Sequence, residues 1–294
     1  VPPVRTSRLF VSAALSAGLV AGALAGSPAT AVDGYAATPY TCDFGETLGV
    51  FQLPFEMDIY DLPRKMPVGI PVESDWSDAE TVLGLPDALV EELYENADSV
   101  AGIANGLQLR LGDDEIPVDL LSDAEELSAD DAEDDSVSLW LDGSTGEYVP
   151  AHTGTQTVSL PTGFVLQLVD EDGDGVASAS CTLSDLDADV FLAMVEVVKQ
   201  KATVKAAAVK KVVKEGKRPR VLVNVLNQLD QGASGGVVAT VKGKTVGQRG
   251  LSDGKAKLRL AKLPVGTHSV TITYQGTDTV ASATKTVVIK VVRR

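Results

Sequence analysis

Two cysteines, two histidines and one Asp-rich turn are the residues of this sequence whose types could do chemistry. Cys42 and Cys181 could ligate a metal or pair with each other. Tetrahedral metal sites need Cys or His partners at short, regular spacings, and neither His152 nor His268 stands at such a spacing from a cysteine. In an oxidising compartment the expectation is one Cys42–Cys181 disulfide closing a long loop, worth roughly 5 kcal/mol in the chain-entropy model. His268 alternates with Val270 and Ile272 and reads as a structural position on a strand. His152, in VPAHTGT, has no Ser or Cys nucleophile signature beside it, so no catalytic triad is expected.

The run Asp170-Glu171-Asp172-Gly173-Asp174-Gly175 has the spacing of the first half of a calcium loop, with Asp170, Asp172 and Asp174 as oxygen ligands. The position that should carry the bidentate Glu is Cys181, so coordination stays incomplete unless Asp185 or Asp187 approaches from outside. The competing reading is an acidic hairpin turn between FVLQLVD and VASASCTL, which Asp and Gly favour on conformational grounds. Calcium is the one cofactor the residues suggest. Paired carboxylates could serve a glycosidase. With so many acids some close pair is assured and uninformative, and Trp76 and Trp140 are the only tryptophans for a sugar platform. No enzyme is expected, and a hydrolase is the remote alternative.

The elements that would carry these residues divide by charge. Up to Val198 there are five Lys/Arg against 37 Asp/Glu; from Lys199 onward there are 20 against 4. So abrupt a change marks two domains with different surfaces. The N-terminus reads as a leader: Arg5 and Arg8 precede an uncharged apolar run, and Ala29-Thr30-Ala31 supplies small residues for cleavage. The expected organisation is a signal peptide at 1–31, an acidic domain at 32–199 and a basic domain at 200–294. No membrane span is expected in the mature chain, and neither a sortase-type tail nor a lipobox at Cys42 is visible.

The acidic domain reads as seven or eight short strands: YTCDF and GVFQLPFEMDIYDLP, then SVAGIANGLQLRLGD, SVSLWLD, QTVSLPTGFVLQLVD, VASASCTL and VFLAMVEVV. One helix is expected in DALVEELYENA, with Leu89, Val90, Leu93 and Tyr94 on one face. Between Asp113 and Asp135, twelve of 23 residues are acidic; this density suggests a solvated loop with a short helix around Asp123 to Leu127. Tyr40-Thr41-Cys42, Leu85-Pro86-Asp87-Ala88-Leu89-Val90 and Cys181-Thr182-Leu183 resemble the motifs of a secreted actinobacterial domain family of unknown function. That resemblance implies an all-β sandwich stapled by the disulfide, with no activity.

In the basic domain, Val221, Val223 and Val225 share one strand face, Ser252-Asp253-Gly254 reads as a hairpin turn, and two long strands flank Gly276-Thr277-Asp278. Gly216, Val221 to Val225, Asp253-Gly254, Leu263-Pro264-Val265-Gly266-Thr267-His268, Tyr274-Gln275-Gly276 and Thr286 to Val292 follow in an order that closely resembles the group 3 bacterial immunoglobulin-like domains. The resemblance spans about Ala202 to Val292 and implies a spacer or adhesive module with no catalytic residues. The number of Lys and Arg departs from that pattern.

The expected fold class is therefore all-β: two β-sandwich domains in tandem, the second immunoglobulin-like, the first with one short helix and a disulfide. The expected function is that of a secreted, cell-envelope-associated structural or adhesive protein. Its basic domain would bind anionic cell-wall polymers, the acidic domain of a neighbouring copy or other surface proteins. The alternative is an extracellular ligand-binding protein whose acidic domain recognises a cation, peptide or glycan. Nucleic acid is not expected, because the basic residues lack aromatic interleaving or a recognised motif.

Overall fold

The computed structural model describes residues 31–127, 137–185 and 190–294. The expected leader lies outside these residues except for Ala31, as do Asp130 to Asp135 of the acidic run and Asp187. Among the described residues no helix is long and apolar enough to cross a membrane.

The first half runs β1 (Ala31–Asp43), α1 (Gly45–Leu48), β2 (Val50–Pro63), β3 (Lys65–Pro67), β4 (Asp78–Leu85), α2 (Asp87–Tyr94), β5 (Ser99–Leu111), β6 (Asp114–Ser122) and β7 (Glu125–Glu126). It continues with β8 (Val137–Thr145), β9 (Gly154–Ser159), β10 (Gly163–Val169), β11 (Gly175–Leu183) and β12 (Phe191–Val198). Strand alternation explains most of them. In β2, Leu53, Phe55, Met57 and Ile59 are buried while Glu56 is exposed between them, the period-two pattern of a half-buried strand.

The strands hydrogen-bond in the order β10-β11-β1-β2-β4-β8-β6-β5, and β5 then pairs back to β10. The two faces expected of a sandwich are thus joined at both ends around one core. Closure depends on β5, which also begins the branch β9-β12-β3. It serves four neighbours, β6, β7, β9 and β10, and bends to do so: its register with β6 shifts between Ala104 and Leu107, where Gly106 has φ 66°. A left-handed glycine inside a strand re-aims the ladder as a bulge does.

The acidic run corrects the expectation of a loop. Residues 114–122 form β6, between β5 and β8, with Ile116, Val118, Leu120 and Ser122 buried and Glu115 and Asp119 turned outward. Charge density ruled out burial of the carboxylates but not a strand, since alternate residues face opposite ways. Nor is there a helix at 123–127; Glu125 and Glu126 form β7 against β5. The helix in DALVEELYENA is α2, with Leu89, Val90 and Leu93 buried. Tyr94, at its last position, is 44% exposed rather than on the buried face.

At the centre of the acidic domain Tyr40, Phe55 and Phe164 meet with ring centroids 5.0–5.5 Å apart. Tyr40 Oη donates to the Pro161 carbonyl at 2.6 Å, so burying the phenol leaves no orphaned donor. Burial raises its pKa far above the ordinary tyrosine value.

The second half runs β13 (Thr203–Ala208), β14 (Val212–Lys214), β15 (Arg220–Leu226), β16 (Gly236–Val241), β17 (Lys244–Gly250), β18 (Lys255–Arg259), β19 (Gly266–Tyr274) and β20 (Ala283–Val292). They form a three-stranded sheet, β13-β15-β18, and a five-stranded sheet, β14-β20-β19-β16-β17. Val221, Val223 and Val225 from one sheet and Val270, Ile272, Tyr274 and Ile289 from the other fill the space between. Burying each such aliphatic side chain contributes about 1.5–3 kcal/mol.

The halves are joined by a clamped residue. Gln200 N donates to Thr279 O and its carbonyl accepts from Ala281 N, both at 2.8 Å, on the second half. Its Nε2 donates to Val68 O at 2.8 Å on the first. Lys199 Nζ adds a bond to Thr277 O at 2.6 Å.

Candidate functional site

The sequence-predicted residues fall in separate places. Cys42 and Cys181 face each other across β1 and β11 and are bonded. His268 Nε2 lies 2.8 Å from the Pro264 carbonyl, which fits a structural N–H···O bond within its own turn. His152 Nδ1 is 3.2 Å from Asp114 Oδ1, and Asp114 Oδ2 accepts from Ala151 N at 2.7 Å, so this pair fastens a loop to the start of β6. Asp170, Asp172 and Asp174 sit in the β10–β11 turn. Asp170 Oδ1 already accepts the N–H groups of Asp172 and Asp174 at 3.1 and 2.8 Å, which gives it the role of a turn former. Among the described residues no three His, Cys, Asp or Glu side chains are grouped as metal ligands.

What the fold does assemble is a cationic face. On the three-stranded sheet the outward positions are Lys205 and Ala207 of β13, Arg220, Leu222 and Asn224 of β15, and Lys255, Lys257 and Arg259 of β18. Register puts Arg220 opposite Arg259, Leu222 opposite Lys257 and Asn224 opposite Lys255. Leu222, half exposed, and Ala207 floor a shallow apolar groove rimmed by Lys205, Lys255 and Lys257. Beyond Arg220, a second groove is lined by Lys210, Lys214, Lys217 and Arg218. The five-stranded sheet is different: its outward pairs include Thr271 with Thr286 and Thr273 with Thr284. The three-stranded sheet carries five cations on three short strands, while Lys214, Lys244, Arg249, Lys285 and Lys290 are spread over β14, β17 and β20 of the larger sheet.

A three-stranded sheet faces a five-stranded one, with β14 running parallel to the last strand β20, and this is a sandwich as expected of the second half. Residues 201–292 match the bacterial Ig-like domain (group 3). No match was found among the curated proteins. Solved structures similar to the chain include the fibronectin(III)-like modules of CbhA from Clostridium thermocellum, at 16% identity and TM-score 0.29, covering 78% of this chain and 90% of that one. A protein described as membrane anchored, from Corynebacterium diphtheriae, has 14% identity and TM-score 0.42, with 90% of this chain and 59% of that one covered. The BSP domain of a biofilm associated protein has 12% identity and TM-score 0.28, with 90% and 52% covered.

Opposite in character to the Ig-like domain's cationic face is the outer face of β1, β2, β4, β8 and β6, five neighbouring strands without one Lys or Arg. Tyr35, Asp58, Glu80, Asp142 and Leu121 form one row straight across them. Glu56, Val82 and Trp140 form the next. Three carboxylates directly opposite one another repel. Tyr35 Oη and Tyr60 Oη donate to Glu56 and Glu80 at 3.2 and 3.3 Å. Tyr60's pKa is pushed up to about 12, mostly by desolvation and then by Asp58 and Glu80.

Asp58 is raised above its ordinary 3.8 by partial burial first, then by Glu80 and Glu56. The sign follows from proton linkage. Between the unfolded and the higher folded pKa the native state binds more protons, so the domain gains stability as pH falls through that window. Above it the penalty is complete. Asp58→Asn is therefore expected to raise the urea midpoint at pH 7, with wild type and variant converging as pH falls below 3.8. Equal midpoints at pH 7 would show that the carboxylate row carries no strain.

Proposed function

We propose that this chain is a non-catalytic structural or adhesive protein of the bacterial cell surface, whose Ig-like domain holds anionic cell-wall polymers on its cationic sheet. The observation that carries this reading is the clustering of Lys205, Arg220, Lys255, Lys257 and Arg259 on the outer face of the three-stranded sheet, next to a groove lined by Lys210, Lys214, Lys217 and Arg218. A linear polyanion needs such a track rather than a deep pocket, because its charges repeat along its length. Arg presents a planar fork of donors suited to phosphate or carboxylate, and Lys a mobile point charge. The match of residues 201–292 to the Ig-like family supports a surface module, and the leader read from residues 1–31 supports export.

Exposed charges interact over about 8 Å at physiological salt, so binding by this face must weaken steeply as salt rises. The test is co-sedimentation of the chain (residues 32–294) with purified cell walls. Lys255→Glu combined with Lys257→Glu and Arg259→Glu is expected to lower the bound fraction at least tenfold at 0.1 M NaCl. Raising salt to 1 M should do the same to the wild type. Wild-type binding by the triple variant, or binding indifferent to salt, would sink the proposal.

A further inference from the structure

The acidic row and the cationic groove are unpartnered sheet faces of the same chain. Neither covers the other: Trp140 is 58% exposed on the first and Leu222 50% exposed on the second. Gln200, bonded to both halves, shortens the tether between them to a single clamped residue. We infer that the outer face of β2, β4 and β8 docks on the β13-β15-β18 face of a second copy, so that copies join head to tail.

Three observations point to this occupant. First, Asp58, Glu80 and Asp142 oppose one another on adjacent strands, and no Lys or Arg of those strands relieves them. Lys255, Lys257 and Arg259 present the complementary defect, three cations in succession along one strand face, with Arg220 opposite Arg259. Each face is destabilised by the charges the other would neutralise. Second, both carry an apolar centre within the charge. Trp140 lies beside Val82 in the row next to the carboxylates, and Leu222 with Ala207 floors the groove among lysines. A tryptophan set against an aliphatic groove with cations at its rim gains buried area and a cation–π contact. Third, the two patches are different surfaces, so the contact is heterologous: each copy offers one acidic and one basic face, and the rotation between copies decides whether the assembly closes as a ring or extends.

This inference rests on the cationic face of the proposed function but needs no wall polymer, and its test separates the two. The chain (residues 32–294) is examined by sedimentation velocity at 0.1 M and 1 M NaCl, where charges are screened beyond about 10 Å and 3 Å respectively. Concentration-dependent oligomers are expected at low salt and monomers at high salt. Asp58→Lys with Glu80→Lys, and separately Lys255→Glu with Lys257→Glu, should each be monomeric at low salt. Mixed one to one, these variants should form a species of twice the monomer mass and nothing larger, because each retains one intact face. Trp140→Ala, which leaves every charge in place, should weaken association at least tenfold. The acidic-face variant should still sediment with cell walls like the wild type.

A wild-type chain that stays monomeric at low salt overturns the inference, as does a mixture that fails to pair. So does a variant that still assembles alone, which would indicate an isologous contact elsewhere. Loss of wall binding by the wild type with assembly intact would remove the wall reading alone.

Discussion

Replacing Cys42 and Cys181 together by alanine is expected to lower the unfolding free energy of the acidic domain by about 5 kcal/mol, the chain-entropy value for a bond closing a 139-residue separation. The position of the bond supports an effect near this upper range. β1 meets β11 over four residue pairs, Tyr40 to Asp43 against Ser180 to Leu183, the shortest ladder in the ring. The disulfide lies within that ladder, at the seam with the fewest paired residues. Urea unfolding followed by tryptophan fluorescence measures it cleanly, because both tryptophans, Trp76 and Trp140, belong to the acidic domain. The Ig-like transition, followed by calorimetry, should not move. A loss below about 1 kcal/mol would mean that the reduced ring retains its closure in the unfolded ensemble.

The second large effect is expected at Gly254. Asp253 and Gly254 have φ 50° and 70° and form a two-residue turn between Ser252 and Lys255, whose backbones exchange hydrogen bonds at 3.0 Å. Positive φ at both central residues is the primed two-residue turn, but β17 and β18 on either side lie in different sheets, so the turn links the sheets through the single Ser252–Lys255 bridge instead of capping the expected hairpin. Gly254 does more than turn: its carbonyl accepts from Val225 N at 2.8 Å. A Cβ there would stand 2.5 Å from the Val225 carbonyl oxygen and 2.7 Å from Gly232 Cα. These are backbone atoms of a core strand and its following loop and cannot step aside without breaking the ladder. Gly254→Ala should therefore destabilise the Ig-like domain by about 3 kcal/mol, combining left-handed backbone strain with the clash. Gly243→Ala is the control. Its φ is 77° but nothing lies within 4 Å of the added carbon, so only the strain of about 1 kcal/mol applies. Equal midpoints for the two variants would show that the close approach is relieved by backbone movement.

Those two sites also mark how far the sequence could be read. The Asp253-Gly254 turn was legible because the conformation is local: only certain residues adopt it, whatever the rest of the chain does. Alternation made Val221, Val223 and Val225 recognisable as one buried face for the same reason. In the acidic half, α2 was legible from its apolar spacing, but β4 and β6 were not. In β6 the acids that drew attention to Asp113–Asp135 occupy the outward positions of a central strand, so composition concealed the alternation of Ile116, Val118 and Leu120. The full extent of β1 was hidden by Gly34 and Pro39, residues that usually mark turns.

By itself the sequence determined the all-β class, the partition into an acidic and a basic half, the Ig-like character of residues 201–292 and the identity of the two cysteines that pair. The class, the partition and the cysteine pair depend on residue type, on period-two patterning and on composition, all local quantities, while the Ig-like character came from the resemblance of a run of short motifs to a family. It could not determine which charges share a surface. That Asp58, Glu80 and Asp142 form one row depends on pairings among β2, β4 and β8, strands separated by long intervals of chain. That Lys257 flanks Leu222 depends on β18 adding to β15 rather than to β17. A one-residue slip in either register would send every one of these side chains to the opposite face. Register is fixed by burial of the other face, a property of the whole core, and so only the tertiary structure turned two net charges into two complementary surfaces.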